Sequence, residues 1–383
     1  MPWNVRTQLE KRKEFIDEVV YKKQDITTAC QRYGISRKTG HKWLSRFRGH
    51  GESGLKDRSR RPRRSPNQTK ESIVEVLIKK KQRYPKWGPK KIRVLLKREG
   101  IEGLPSKATI GRIFERYDLV KKKRRRSKRI RARQDLTRPM YANHVWAVDF
   151  KGWFKTRDGK RCEPLTITDL YSRYLIECYA LENTRTEAVQ GVFERVFKKY
   201  GLPLIIRSDN GSPFSSQALC GLSRLSVWWM KLGIMPELIE PAHPEQNGEH
   251  ERMHRTLKHE LLDEVGKNIT RQQMRFEEWK KEFNEIRPHE ALGMQTPDKY
   301  YKKSERRYKL LKIGFEYPTE YATRSVKKDG YIRYGGSLYY LTETLKKEKV
   351  GLKQLNPQET EIYFQTKRIG KIIKGHNKVL PMS

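Results

Sequence analysis

The stretch His243 to Glu260, "HPEQNGEHERMHRTLKHE", supports two incompatible readings. From His250, "HERMH" fits H-E-x-x-H, the helical pattern in which zinc peptidases hold their metal. From Asn247, the same letters put Glu251 on the first turns of a helix after an Asn-Gly break, where its carboxylate is available to a metal ion bound through oxygen. The fold differs between the two, so the rest of the chain decides.

At 100° per residue, Glu251, Arg255 and Lys258 share one face of this helix, and Met253, Leu257 and Leu261 lie roughly opposite, on the face that packs. The carboxylate then points away from the core beside two cations, an arrangement that suits neighbouring phosphates. His250 and His254 do share a side, as zinc ligands must. Yet Arg252 sets a cation beside the would-be base, and the longer peptidase pattern fails because positions 257 and 260 are Leu and Glu.

Two more carboxylates belong in the account. Asp149 sits in an apolar strand, "VWAVDF", where a charge is costly unless paired or bound to metal. Asp209 ends "LPLIIRSD" just before Asn210-Gly211. Alone it is an ordinary turn aspartate. With Asp149 on a neighbouring strand it is half of a divalent-metal site.

The chain has 383 residues, enough for two to four domains, and a net charge of +40 from 85 Lys and Arg against 45 Asp and Glu. A neutral substrate needs no such field, whereas a polyphosphate partner does, since each neutralised phosphate releases counterions. The cysteines at 30, 162, 178 and 220 form no C-x-x-C pair, which fits a reducing compartment and offers no zinc finger. "MPWNVRTQLEKRKEF" is too charged for a signal peptide, and no apolar run approaches the ~20 residues that span a bilayer. These features lead us to expect a soluble, cytoplasmic protein without a membrane partner.

Residues 11 to 48 read as three helices. Phe15, Ile16, Val19 and Val20 form a helical stripe, Asp25 caps the second helix, and Ser36 caps the third, "SRKTGHKWLSRFR". Trp43, Leu44 and Phe47 point inward there, leaving Arg37, Lys38, Thr39 and His41 free to enter a major groove, the shape of a helix-turn-helix. "KDRSRRPRRSP", with Arg60, Arg61, Arg63 and Arg64, cannot fold alone and suits a minor groove. A second helical unit follows, with Pro89 opening one helix and Ser106 capping another. Its spacing repeats the helix-turn-helix logic. Lys121, Lys122, Lys123, Arg124, Arg125 and Arg126 then begin a basic run that stays extended and tracks phosphates.

From about residue 140 the pattern becomes β-β-β-α-β-α-β-α, implying a mixed sheet flanked by helices, with one helix expected over Ser215–Leu232. After Tyr317, short strands separated by Asp329-Gly330, Gly335-Gly336 and Asn356-Pro357 suggest a small β-barrel, whose core Tyr331, Tyr334, Tyr339 and Tyr340 would build.

Taken together, Asp149 in "VWAVDF", Asp209 in "RSDNGSPF", Glu251 in "HPEQNGEHERMHRTLKHE", and "FNEIRPHEALGMQTPDKY" resemble the core of insertion-sequence transposases related to retroviral integrases. "GISRKTGHKWLSRFR" and "DRSRRPRRSP" are similar to the N-terminal arms of one bacterial branch, the insertion-sequence four-eighty-one family. The resemblance implies an RNase H-like core with an Asp-Asp-Glu triad, Asp149, Asp209 and Glu251, holding two Mg²⁺ ions, with Mn²⁺ as a substitute. Asp149 would bridge both ions and the other two acids would complete one each. The familiar spacing, 35 residues between the second Asp and the Glu, would select Glu245; the Asn-Gly-x-x-Glu-Arg context selects Glu251, with 41 between, and Glu249 is a further rival.

The expected organisation is therefore a helix-turn-helix domain over 1–52, a basic arm over 53–68, a second helix-turn-helix domain over 69–120, and a basic linker over 121–139. An α/β RNase H-like core over 140–305 and a linker with a small β-barrel over 306–383 complete it. The implied enzyme is a metal-dependent polynucleotidyl transferase that cuts transposon ends and joins the 3′-OH to target DNA, as at least a dimer on DNA. A regulator with an inactive core and a nuclease without strand transfer are the alternatives. The intact acidic triad disfavours the first and the tandem end-reading modules the second.

Overall fold

A computed structural model describes residues 7–58, 68–120, 136–216, 218–240, 248–309, 315–376 and 378–381. The chain divides into two compact units, Met1–Thr69 and Lys70–Ser383.

In the first unit, α1 (Gln8–Ile16) starts where Thr7 and Glu10 cap each other reciprocally, and its last turn widens over Asp17–Tyr21. Asp25 caps α2 (Ile26–Arg32), accepting from the N–H groups of Thr27 and Thr28, and Ser36 caps α3 (Arg37–His50), accepting from that of Thr39. Phe15, Ile16, Ala29, Cys30, Trp43, Leu44 and Leu55 form the core. Gly40 lets α2 and α3 meet closely, since a Cβ there would lie 2.4 Å from Cys30 Sγ.

The second unit opens with α4 (Glu71–Arg83), α5 (Pro89–Arg98) and α6 (Lys107–Arg116) around Leu77, Trp87, Ile92, Leu96, Ile110 and Phe114. Pro89 occupies the first turn of α5, where no N–H is needed, and the Ser106 hydroxyl caps α6.

The sheet that follows contains β1 (Val145–Phe150), β2 (Phe154–Lys155), β3 (Arg161–Asp169) and β4 (Leu175–Leu181). After α7 (Thr186–Tyr200) come β5 (Ile205–Ser208), α8 (Arg224–Lys231), β6 (Met235–Leu238), α9 (Gly248–Leu261) and α10 (Ile269–Lys281). The strands run β4-β3-β1-β5-β6, with β2 paired to the start of β3. β4, β3 and β1 are antiparallel, and β5 and β6 add in parallel, which makes the expected mixed sheet. Strand alternation sorts the two faces. Trp146, Val148, Leu165 and Ile167 pack on α7 and α8, whereas Met253 and Leu257 of α9 join Phe276 and Trp279 of α10 over Cys162 and Cys178 on the other face.

One expected helix is shorter than its letters suggest. Ser223 and Ser226 cap each other, so α8 starts at Arg224, and the described residues among 215–223 hold only a short turn at Leu219–Gly221.

The C-terminal strands are β7 (Ala322–Ser325), β8 (Tyr331–Tyr334), β9 (Ser337–Tyr340), β10 (Lys349–Asn356), β11 (Glu359–Phe364), β12 (Lys367–Ile373) and β13 (Leu380–Pro381). They do not close into the expected barrel. Among the described residues β13-β12-β11-β10-β7 form an open sheet, while β8 and β9 form a separate hairpin, turning at Gly335-Gly336, both with φ above zero. Their core reaches Leu222, Val227 and Met230 beside and on α8. Of the four tyrosines only Tyr339 is buried; Tyr331 and Tyr340 pair on the outside with ring centroids 5.2 Å apart, and Tyr334 is half-buried.

Candidate active site

β1 begins fully buried and surfaces at its end: Val145 to Val148 are inaccessible, then the Asp149 side chain is 25% exposed. β5 lies parallel to it, in a register of Val145 with Ile205 and Ala147 with Arg207. Continued by two residues, that register brings Asp149 level with Asp209, which follows the end of β5. Asp209 is held in a tight turn, with the Gly211 N–H donating to its Oδ1 at 3.2 Å.

α9 covers the same face of the sheet. Met253 and Leu257 are buried, and Glu251, Arg255 and Lys258 are exposed on its outer side. Glu251 is felt at Asp149. Burial above all, then the charge of Asp209 and, more weakly, that of Glu251 push the Asp149 carboxyl up to about 7. The rivals differ. Glu249 is engaged by Arg173 and lines a cleft of about 740 Å³ with Arg173 and Arg252, while Glu245 lies outside the described residues. The three acids of the expected triad do not converge as tightly as a closed ligand set: within 4.8 Å of one another, among the described residues, stand Asp149, His250 and His254.

Those histidines border no outer surface; they face the sheet. His250 is 1% and His254 6% exposed. The Thr166 hydroxyl, on the α9 side of β3, lies 2.7 Å from His250 Nε2, 2.6 Å from His254 Nε2 and 3.0 Å from the Asp149 carbonyl oxygen. Thr168 Oγ1 lies 2.7 Å from His250 Nδ1. Burial holds both imidazoles neutral, His250 at about 3 and His254 further below its ordinary value. Sequence reasoning missed the two threonines. The signal was the alternation "LTIT", which puts Thr166 and Thr168 on the face opposite Leu165 and Ile167.

Other expected site residues are distributed along the chain. Arg37, Lys38 and His41 are exposed at the start of α3, with Thr39 half-buried against Ser36. Arg60, Arg61, Arg63, Arg64 and the run Lys121 to Arg126 lie outside the described residues.

Family models for an integrase core domain match residues 140–244 and 232–297, a helix-turn-helix domain model matches 11–63, and a homeodomain-like domain model matches 39–114. The chain is 26% identical over 274 residues to an uncharacterized 39.2 kDa protein of insertion element IS476 from Xanthomonas euvesicatoria, covering 70% of this chain and 76% of that one. It is 25% identical over 237 residues to an uncharacterized 31.7 kDa protein of insertion element IS407 from Burkholderia multivorans, covering 61% and 82%. A solved integrase catalytic core domain of HTLV-2, in complex with magnesium, aligns at 17% identity and a TM-score of 0.34, covering 43% of this chain and 100% of that one. The chain thus carries an integrase core domain preceded by helix-turn-helix domains and is similar to proteins of bacterial insertion elements; as an enzyme it is a polynucleotidyl transferase.

Proposed function

We propose that this transposase binds the terminal inverted repeats of its element, hydrolyses the DNA at each end, and joins the freed 3′-OH to target DNA, with Asp149, Asp209 and Glu251 holding two divalent cations. The observation that carries the reading is the parallel β1–β5 register, which brings Asp149 and Asp209 to one end of the sheet, beside the α9 that bears Glu251.

The residues fit a hard cation. Asp149 is largely desolvated, other carboxylates add to its cost of ionisation, and all three side chains offer oxygen. Bound there, Mg²⁺ or Mn²⁺ supplies Lewis acidity for an in-line displacement at phosphorus. The chain's own part is positioning. Asp149 and Asp209 are fixed by strand ends, Glu251 by a helix whose other side is buried. Arg255 and Lys258 extend the Glu251 face and suit the phosphates flanking the scissile bond. In the first step water replaces the 3′ oxygen's bond to phosphorus, leaving a 3′-OH. In the second, that hydroxyl forms the new bond to a target phosphorus as the target's own 3′ oxygen departs.

Arg37, Lys38, Thr39 and His41 would read base edges, Arg60, Arg61, Arg63 and Arg64 would lie in a minor groove, and Lys121 to Arg126 would follow the backbone. Joining two ends requires at least two copies. The N-terminal motifs favour the four-eighty-one branch.

The deciding experiment compares Glu251→Gln with Glu249→Gln and Glu245→Gln on DNA carrying an element end. Glu251→Gln should bind DNA as the unmodified protein does and lose cleavage and joining more than ~100-fold, the upper end of what an outer-sphere partner of a metal ligand is worth. Joining by Glu251→Gln at near the original rate would reject the assignment.

A further inference from the structure

The two histidines of the H-E-x-x-H stretch are not equivalent, and hydrogen-bond accounting separates them. A hydroxyl has one proton to donate and two lone pairs to accept with. Thr166 lies 3.0 Å from the Asp149 carbonyl oxygen, which can only accept, so its proton goes there. It must therefore accept from Nε2–H of both His250 and His254, at 2.7 and 2.6 Å. His250 is then fully engaged, its Nδ1 accepting from the Thr168 hydroxyl at 2.7 Å. His254 is left with an unprotonated Nδ1, 3.6 Å from Asp149 Oδ2.

The two atoms face each other there at a separation longer than a hydrogen bond, across a gap that a shared cation would close. Ligand atoms that each sit ~2.1 Å from one cation are roughly 3.0–3.4 Å apart, depending on the angle between the bonds. The observed separation needs only a small closure. We propose that His254 is a further metal ligand, binding through Nδ1 the divalent cation held by Asp149, so that one of the two ions has a nitrogen in its coordination shell. His250 has a structural part, orienting the threonine pair. The inference rests on the reading of Asp149 as a metal-holding residue. One consequence is a preference: an imidazole favours later first-row ions over Mg²⁺, for which oxygen ligands suffice.

The test uses the full chain and Mn²⁺ as the probe, followed by pulsed electron paramagnetic resonance, which detects a coordinated ¹⁴N nucleus directly. Histidine nitrogen modulation should be present in the unmodified protein, persist in His250→Gln and vanish in His254→Gln. Glutamine places its amide near the Nε2 position, so it keeps the Thr166 contact while removing the ligand. Mn²⁺ affinity should fall ~10-fold or more in His254→Gln, with a smaller fall for Mg²⁺. His254→Asn, whose amide oxygen takes the Nδ1 position, should recover part of it without nitrogen modulation. Absence of the signal in the unmodified protein overturns the proposal with no variant needed, as does its persistence in His254→Gln. Asp149→Asn separates the two readings: if it binds Mn²⁺ as tightly as the unmodified protein, the Asp149 site itself is wrong. Loss of binding there beside unchanged binding and signal in His254→Gln rejects only the histidine.

Discussion

Asp149 sits where burial and nearby acids work against its own charge, and that conflict is measurable. Its carboxyl is raised from an ordinary 3.8 to about 7. Between those values the folded chain keeps a proton that the unfolded chain has released, so this group's contribution to stability falls as pH rises through the window, and levels off above it. Asp149→Asn cannot ionise. Metal-free, it should be more stable than the unmodified protein at pH 8, by at most roughly 4 kcal/mol, and equal to it near pH 3. Thermal melts in chelator at both values check this, and a variant melting at or below the unmodified protein at pH 8 would refute it. Added Mn²⁺ should then raise the melting temperature of the unmodified protein and not of the variant. The acid was legible in the sequence because a charge inside "VWAVDF" is conspicuous. Thr166 was not, since a threonine in a strand is unremarkable until the partner helix is known.

At the scale of the element, capping chemistry was the most readable feature, and packing between elements the least. Asp25, Ser36 and Ser106 each start the helix their side chains imply, because a cap bonds within its own four residues. The helix expected from Ser215 failed for a related reason: the Ser223–Ser226 pair, further along, makes the better start. Tyr331 and Tyr340 were expected inside because aromatic content alone does not say which face of a hairpin is covered. Gly40 shows the same limit. In an exposed helix Gly→Ala gains about 1 kcal/mol, but here the new methyl would meet Cys30 Sγ at 2.4 Å and Phe15 at 3.1 Å. Overpacking of that kind costs about 1–3 kcal/mol, so Gly40→Ala should lower the stability of the first unit, and adding Cys30→Ala should return part of the loss. Chemical denaturation of the three variants decides it; strict additivity of the two changes would mean that the contact is not the cause. On the exposed start of the same helix, Arg37→Ala and Lys38→Ala should weaken end recognition by roughly 1–3 kcal/mol where a base contact is lost. Mn²⁺ binding should be unaffected. A loss equal on all DNA sequences would argue that this helix does not read bases.

For the whole molecule, the net charge of +40 is spread along the letters and is densest in two runs, 56–64 and 121–133. The open C-terminal sheet was not legible, since strand spacing is the same whether a sheet closes or stays open. Runs of charge beside apolar-patterned segments lead us to expect separable functions. The chain clusters into Met1–Thr69 and Lys70–Ser383, and the acids of the candidate metal site all lie in the second. Expressed alone, residues 70–383 should keep the Mn²⁺ affinity of the full chain while preferring element ends less than the full chain does, and residues 1–69 should bind DNA without any metal. Neutralising Lys121 to Arg126 in the full chain should act differently again. Each phosphate contact contributes about 0.9 to the slope of log affinity against log salt, so removing six cations should flatten that slope by up to about five and weaken specific and random DNA alike. Binding isotherms at several salt concentrations measure both quantities. If the neutralised chain lost end preference with an unchanged slope, the run would be reading sequence rather than following phosphates, and the proposed division of labour would fail.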